Sequence, residues 1–220
     1  MVTGLRPVDG PEARYHTTRK MRIFIGIDLD PEVRARISRF LEGVESFAPD
    51  ARWVRPESLH ITLKFIGEQA PERVEAITER LRRVESSAFA IRSGGYGFFP
   101  TAKAPRVFWI GIHAGPELAE LAGRIDVAVA ELGIPREDRP FSPHLTLARG
   151  SGRSGSPKWR KGDGPNAMFA VLEKRLAATS NLDFGTMTAS EFILYQSQLS
   201  PGGSKYTKLQ CFPMGPLQRS

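Results

Sequence analysis

Hydrophobic positions along the chain change period in a fixed order, and the order occurs twice. Arg22-Ile-Phe-Ile-Gly-Ile-Asp28 is rich in β-formers and alternates, which predicts a strand. Pro31-Glu32 then opens a helix whose apolar positions are Val33, Ile37, Phe40, Leu41 and Val44. Ser58-Leu-His-Ile-Thr-Leu63 alternates again, Pro71 to Ser86 has the helical spacing Val74, Ile77, Leu81 and Val84, and Phe89 to Phe99 predicts a strand with an irregularity at Gly94-Gly95.

The second half repeats this. Arg106-Val-Phe-Trp-Ile-Gly-Ile112 matches the first strand with one residue inserted, Pro116-Glu-Leu118 matches Pro31-Glu-Val33, and Ser142-Pro-His-Leu-Thr-Leu147 matches the first histidine stretch, His144 following His60 by 84 residues. A helix from about Ala167 to Ala178 and strands from Glu191 to Gln196 and Tyr206 to Phe212 complete the half. Duplication at this spacing predicts an α+β fold of two lobes related by an approximate two-fold axis. Each lobe is expected to be a small mixed or antiparallel sheet with helices on its outer face, and a central cleft lies between them.

Strand geometry gives the duplication its chemical meaning. Successive side chains of a strand point to opposite faces, so His60 and Thr62 share one face while Ile61, Leu63 and Phe65 turn to the other. His144 and Thr146 stand likewise against Leu145 and Leu147. One such tetrad is ordinarily a hydrogen-bonded core histidine; two on an internal repeat place two imidazoles and two hydroxyls around one cleft. Two imidazoles can act as acid and base near neutral pH, and two threonine hydroxyls suit the non-bridging oxygens of a phosphoryl group between them.

Composition narrows the setting. With 220 residues, 40% hydrophobic and 25% charged, the chain can bury a sizeable core. The single cysteine, Cys211, permits no intramolecular disulfide and reads as a buried structural thiol, in keeping with a reducing, cytoplasmic setting. No apolar run reaches the length of a membrane span, and residues 1–20 carry no secretory h-region and read as a disordered extension. A formal charge of +7 and a pI near 9.8 favour anionic partners. Five basic residues and no acidic one between Arg149 and Lys161 suggest a basic flexible loop over 149–165, in which Lys158, Arg160 and Lys161 track RNA phosphates or merely solvate a linker. Residues 21–220 are expected to form one bilobal domain.

Competing chemistries lack their motifs. There is no G-x-x-x-x-G-K-[ST] loop, no G-x-G-x-x-G after a strand and no G-x-S-x-G elbow. A metal would find only two imidazoles and no carboxylate within either tetrad, so no metal or cofactor is expected. His16 and His113 lie outside both motifs.

On these residues the chain resembles the 2H phosphoesterase superfamily, named for two H-x-[ST]-hydrophobic motifs, and within it the RNA 2′,3′-cyclic phosphodiesterases, also called 2′,5′-RNA ligases. The likeness spans roughly Met21 to Phe212. It includes Leu59-His-Ile-Thr-Leu-Lys-Phe-Ile-Gly67, Pro143-His-Leu-Thr-Leu-Ala-Arg149, and Leu194-Tyr-Gln-Ser-Gln-Leu199 with Gly203 and Tyr206. The resemblance implies metal-independent hydrolysis of a terminal 2′,3′-cyclic phosphate to a 2′-phosphomonoester, reversible as 2′,5′ ligation, with RNA ends or small cyclic nucleotides as partners and a monomeric enzyme.

It also implies roles. His60 and His144 become the acid-base pair, within which our own assignment has His144 activating water and His60 protonating the departing 3′-oxygen. Thr62, Thr146 and Arg149 become phosphate anchors, and Tyr195, Ser197 and Tyr206 come near the cleft. Strict alternation sets Arg149 on the face away from His144, so its role requires a bulge or a strand end just before it. Lys64 keeps the parity of His60 and is a further phosphate-contact candidate beside the plainer reading of a solvated lysine. Phe24 can stack on a base or pack in the core. Two other readings remain: a module that binds RNA ends or nucleotides without turnover, and a 2′,5′-oligonucleotide phosphodiesterase.

Overall fold

The computed structural model describes residues 20–101, 105–150, 167–179, 182–200 and 203–217. The N-terminal extension and the loop carrying Lys158, Arg160 and Lys161 therefore lie outside the described residues, as does His16. Strand β1 (Met21–Asp28) leads to helix α1 (Pro31–Val44), the two-residue strand β2 (Arg52–Trp53), strand β3 (His60–Gln69), helix α2 (Pro71–Leu81) and strand β4 (Phe89–Phe99). Strand β5 (Val107–Ala114), helix α3 (Pro116–Ala130), strand β6 (His144–Arg149), helix α4 (Ala170–Ala177) and strands β7 (Asp183–Ala189), β8 (Glu191–Ser200) and β9 (Gly203–Pro213) follow.

The strands build two sheets, in the orders β3-β1-β8-β9 and β2-β6-β5-β4-β7, and every ladder is antiparallel. Each sheet pairs a histidine strand with the leading strand of its own half, then takes its third strand from the other half. The lobes are thus exchanged rather than cut at mid-sequence. Helices cross over too: α1 packs on β7, with Phe40 edge-on to Phe184 at 5.2 Å, whereas α3 contacts β3. One hydrophobic cluster runs from Ile23, Ile25 and Ile61 in the first sheet to Phe108, Ile110 and Leu145 in the second.

Local chemistry accounts for the elements. Asp30 caps α1 by accepting from the Glu32 amide at 2.8 Å, Pro31 occupies the first turn, and Val33, Ile37, Leu41 and Val44 form its buried stripe. Helix α2 ends at Leu81 rather than running to Ser86, because the amides of Arg83 and Val84 close three-residue turns onto Arg80 and Leu81. Strand β7 escapes the alternation pattern because Gly185, at φ 96°, interrupts it where the pairing with β4 shifts register. Cys211 is half-buried, and burial raises its thiol pKa.

Candidate active site

Both histidine strands carry the same defect. Thr62 pairs with Gly26 and Lys64 with Ile25, so Leu63 is extra in β3; Thr146 pairs with Trp109 and Ala148 with Phe108, so Leu147 is extra in β6. A bulge inverts the parity of the residues beyond it. Arg149 therefore turns to the face of His144 and Thr146, and the requirement set by its spacing is met. The twin of Arg149 in the first sheet is Phe65, which is 55% exposed and pairs with Phe24.

The same inversion sends Lys64 the other way. Its ammonium is buried, ion-paired to Asp126 at 2.7 Å and Glu137 at 3.0 Å, and bonded to the Pro135 carbonyl at 2.7 Å. Burial alone would raise the Asp126 pKa, but the hydrogen bonds from Lys64 and Arg136 pull it below the usual carboxylate range. Lys64 is thus a strut between β3 and α3, away from the imidazoles.

His60 and His144 are held alike. Each Nδ1 lies 2.8 Å from the carbonyl oxygen two residues earlier, Ser58 and Ser142 respectively. A carbonyl only accepts, so Nδ1 carries the proton and Nε2 of each neutral ring is left as the basic nitrogen. Strands β3 and β6 contact one another across the sheets. One cation bears on both rings: the Arg149 guanidinium lowers the pKa of each, after burial, which is the larger cause. His60 is pushed down to about 4 and His144 also lies below its ordinary value. His60 keeps a partly exposed edge although protein otherwise encloses its ring.

Aromatic rings frame each imidazole. Phe24 lies 4.6 Å from the His60 ring, Tyr206 meets it edge-on at 4.9 Å, and Phe24 stacks on Tyr195 at 5.0 Å. Phe24, Ile193 and Tyr195, with Tyr206 and Cys211 against them, form a second apolar cluster on the histidine side of the first sheet. Phe24 is thus buried against His60 rather than open for stacking. On the other side Phe99 stands edge-on to His144 at 5.0 Å and stacks on Trp109.

Two glycines make room for these rings. A Cβ at Gly26 would come within 2.8 Å of the Ile61 carbonyl oxygen and 3.5 Å of the His60 ring, and one at Gly97 would strike the Trp109 ring.

Ser197 shares a register row with Arg22 and Tyr206, on the face of Phe24. Sequence reasoning missed Asp28, the pairing partner of His60, whose carboxylate binds Arg34 and, at 2.5 Å, Lys208 and favours the protonated form of His60. It also missed Phe99 and Trp109, whose only signal was aromatic content in a strand. A small cavity of about 60 Å³ opens between Asp28, Ser58, His60, Tyr195, Tyr206 and Lys208. Among the described residues no three His, Cys, Asp or Glu side chains gather as a metal cage, and no helix is long and apolar enough to cross a membrane.

The family model of LigT like phosphoesterases matches residues 27–109 and 110–158, bracketing both tetrads. This chain belongs to the LigT-like phosphoesterases. An RNA 2′,3′-cyclic phosphodiesterase of Archaeoglobus fulgidus is 35% identical to it over 192 residues, covering 87% of this chain and 99% of the relative. One of the same name from Methanothermobacter thermautotrophicus is 32% identical, covering 88% and 98%. Among solved structures, a Thermus thermophilus protein is 32% identical with a TM-score of 0.66, over 88% of this chain and 97% of that one. E. coli LigT complexed with 3′-AMP gives a TM-score of 0.67 at 26% identity, over 89% and 98%.

Proposed function

We propose that the chain hydrolyses the terminal 2′,3′-cyclic phosphate of RNA to a 2′-phosphomonoester, with His60 and His144 as paired acid and base. The observation that supports this most is the matched pair of imidazoles, each offering Nε2 beneath the shared charge of Arg149. Water attacks phosphorus in line with the P–O3′ bond and gives its proton to one Nε2; as that bond breaks, the other imidazole delivers a proton to O3′. The P–O2′ bond survives, and solvent exchange restores the starting protonation. Thr62, Thr146 and Arg149 neutralise and orient the non-bridging oxygens.

Within the pair we assign His144 as base and His60 as acid. In the free protein His60 stays neutral down to about pH 4. His60 must therefore gain its proton together with the anionic substrate, whose charge offsets that of Arg149. With the 5′-hydroxyl of a second RNA end in place of water, the same in-line attack breaks the P–O3′ bond, protonates O3′ and leaves the two ends joined through a 2′,5′ bond. We place the enzyme in the cytoplasm as a monomer acting on RNA ends or small cyclic nucleotides, with residues 21–220 as one domain.

The test is incubation of nucleoside 2′,3′-cyclic phosphates with the protein in EDTA. Release of the 2′-phosphate that vanishes in His60→Ala and in His144→Ala is expected. Tight binding without turnover would leave a binding module instead, and cleavage confined to 2′,5′-linked oligonucleotides would change the substrate class.

A further inference from the structure

Three guanidinium groups converge beside the reaction centre. Arg52 stands directly opposite Arg149 in the β2–β6 ladder, so the two share a face. Arg22 lies two residues before Phe24 and therefore on its face, in one row with Ser197 and Tyr206. Strands β3 and β6 bring the two rows toward one another across the sheets, and Tyr206, Arg52 and Arg22 all bear on the charge of Arg149. Arg22 and Arg52 are exposed. Arg52 donates to the Gly150 carbonyl at 3.3 Å, and Glu68 stands opposite Arg22 in β3. Among the described residues neither Arg22 nor Arg52 closes an ion pair with a carboxylate.

Like charges placed directly across a ladder are destabilising, so this arrangement is costly to the empty protein. It becomes favourable when an anion enters, because each guanidinium can then donate charge-assisted hydrogen bonds. The phosphoryl group under attack occupies the imidazoles, the threonines and Arg149. We infer that Arg22 and Arg52 hold a second phosphate, the one on the 5′-oxygen of the terminal nucleotide, so that the cleft reads the end of an RNA strand in preference to a lone nucleoside cyclic phosphate. This rests on the phosphodiesterase reading above and extends it to the substrate's length. Contacts of this kind position a strand without reading its bases, so the preference is for chain and not for sequence.

Binding of product analogues tests it without needing turnover. Calorimetry at low salt compares adenosine 2′-monophosphate with adenosine 2′,5′-bisphosphate. The bisphosphate is expected to bind roughly tenfold more tightly or better, since one charge-assisted pair is worth about that factor. The advantage is expected to disappear in the Arg22→Gln/Arg52→Gln double variant and to shrink as salt rises. Equal affinities in the wild type, or an advantage that survives the double variant, would overturn the inference. Arg52→Gln alone should also raise the thermal midpoint in low-salt buffer; a lower midpoint would make Arg52 structural support and reject it. Failure of a short RNA ending in a 2′,3′-cyclic phosphate to be hydrolysed would sink the functional reading while leaving this affinity ratio readable.

Discussion

Leu63 and Leu147 are the same residue of the repeat in a structural sense: each is skipped in the ladder with the leading strand of its own half, immediately after the motif threonine. Both side chains are buried, and each is followed by a second buried residue, Lys64 or Ala148. Two consecutive inward positions are what a bulge permits and regular alternation forbids. The bulges bring Arg149 and Phe65 to the histidine face and commit Lys64 to the interior.

Lys64→Met therefore acts on stability rather than on phosphate affinity. Removing one partner of a buried pair leaves Asp126 short of its main cation, at a cost of about 3 kcal/mol, partly offset by Arg136 at 3.2 Å. For a chain of this size the thermal midpoint should fall by roughly 6–12 °C. KM for a cyclic nucleotide, measured well below that midpoint, should stay within about twofold. A large KM increase at unchanged stability would return Lys64 to the phosphate site.

Much of this was legible because alternation is a local property. His60 with Thr62 and His144 with Thr146 needed only a period of two, and the repeat itself made them a pair. The bulges were not legible, since Leu63 and Leu147 look like ordinary core positions until a pairing strand is in place. For the same reason the apparent match of Gly26 to Gly111 misleads: opposite the two motif threonines stand Gly26 and Trp109. The exchange of β4 and β8 between sheets is likewise a long-range pairing choice that hydropathy does not encode.

Arg149 links the two imidazoles, so its loss should change both rate and pH dependence. Removing one preorganised donor to the developing phosphorane charge is expected to lower kcat on the order of a hundredfold in Arg149→Gln. Because its charge lowers the pKa of His60 and of His144, the substitution should raise both. The wild-type bell of kcat/KM, with both apparent pKa values below 6.5, would then move to higher pH on each flank. A profile that falls in amplitude without moving would place Arg149 away from the rings.

Burial of His60 also has a price in acid. Its folded pKa of about 4 lies below the ordinary 6.5, so the unfolded chain takes up a proton first as pH drops. The associated stability is fully present above pH 6.5 and is lost as pH falls to about 4, amounting to about 3 kcal/mol. Denaturant titrations of wild type and His60→Gln at pH 7 and pH 4 should differ in their pH-induced loss by about that amount, with the variant losing less. Equal losses would mean that the His60 ring is not held neutral by the fold.

If both imidazoles are neutral in the free protein and one must be charged for catalysis, an anion entering the cleft has to bring a proton with it. Sulfate is a suitable probe because it does not titrate near neutrality, so any protons taken up from the buffer on binding are gained by the protein. Its charge opposes that of Arg149 beside both rings and offsets the burial that depresses them, raising both pKa values. Binding should accordingly tighten as pH falls from 8 to 6. Calorimetry in buffers of different ionisation enthalpy should give net proton uptake at pH 7. The uptake should decrease in His60→Gln and in His144→Gln and vanish in the double variant. Zero uptake in the wild type, or uptake that persists without both histidines, would mean that the anion and the imidazoles do not share one site, and the two-histidine mechanism would fall with it.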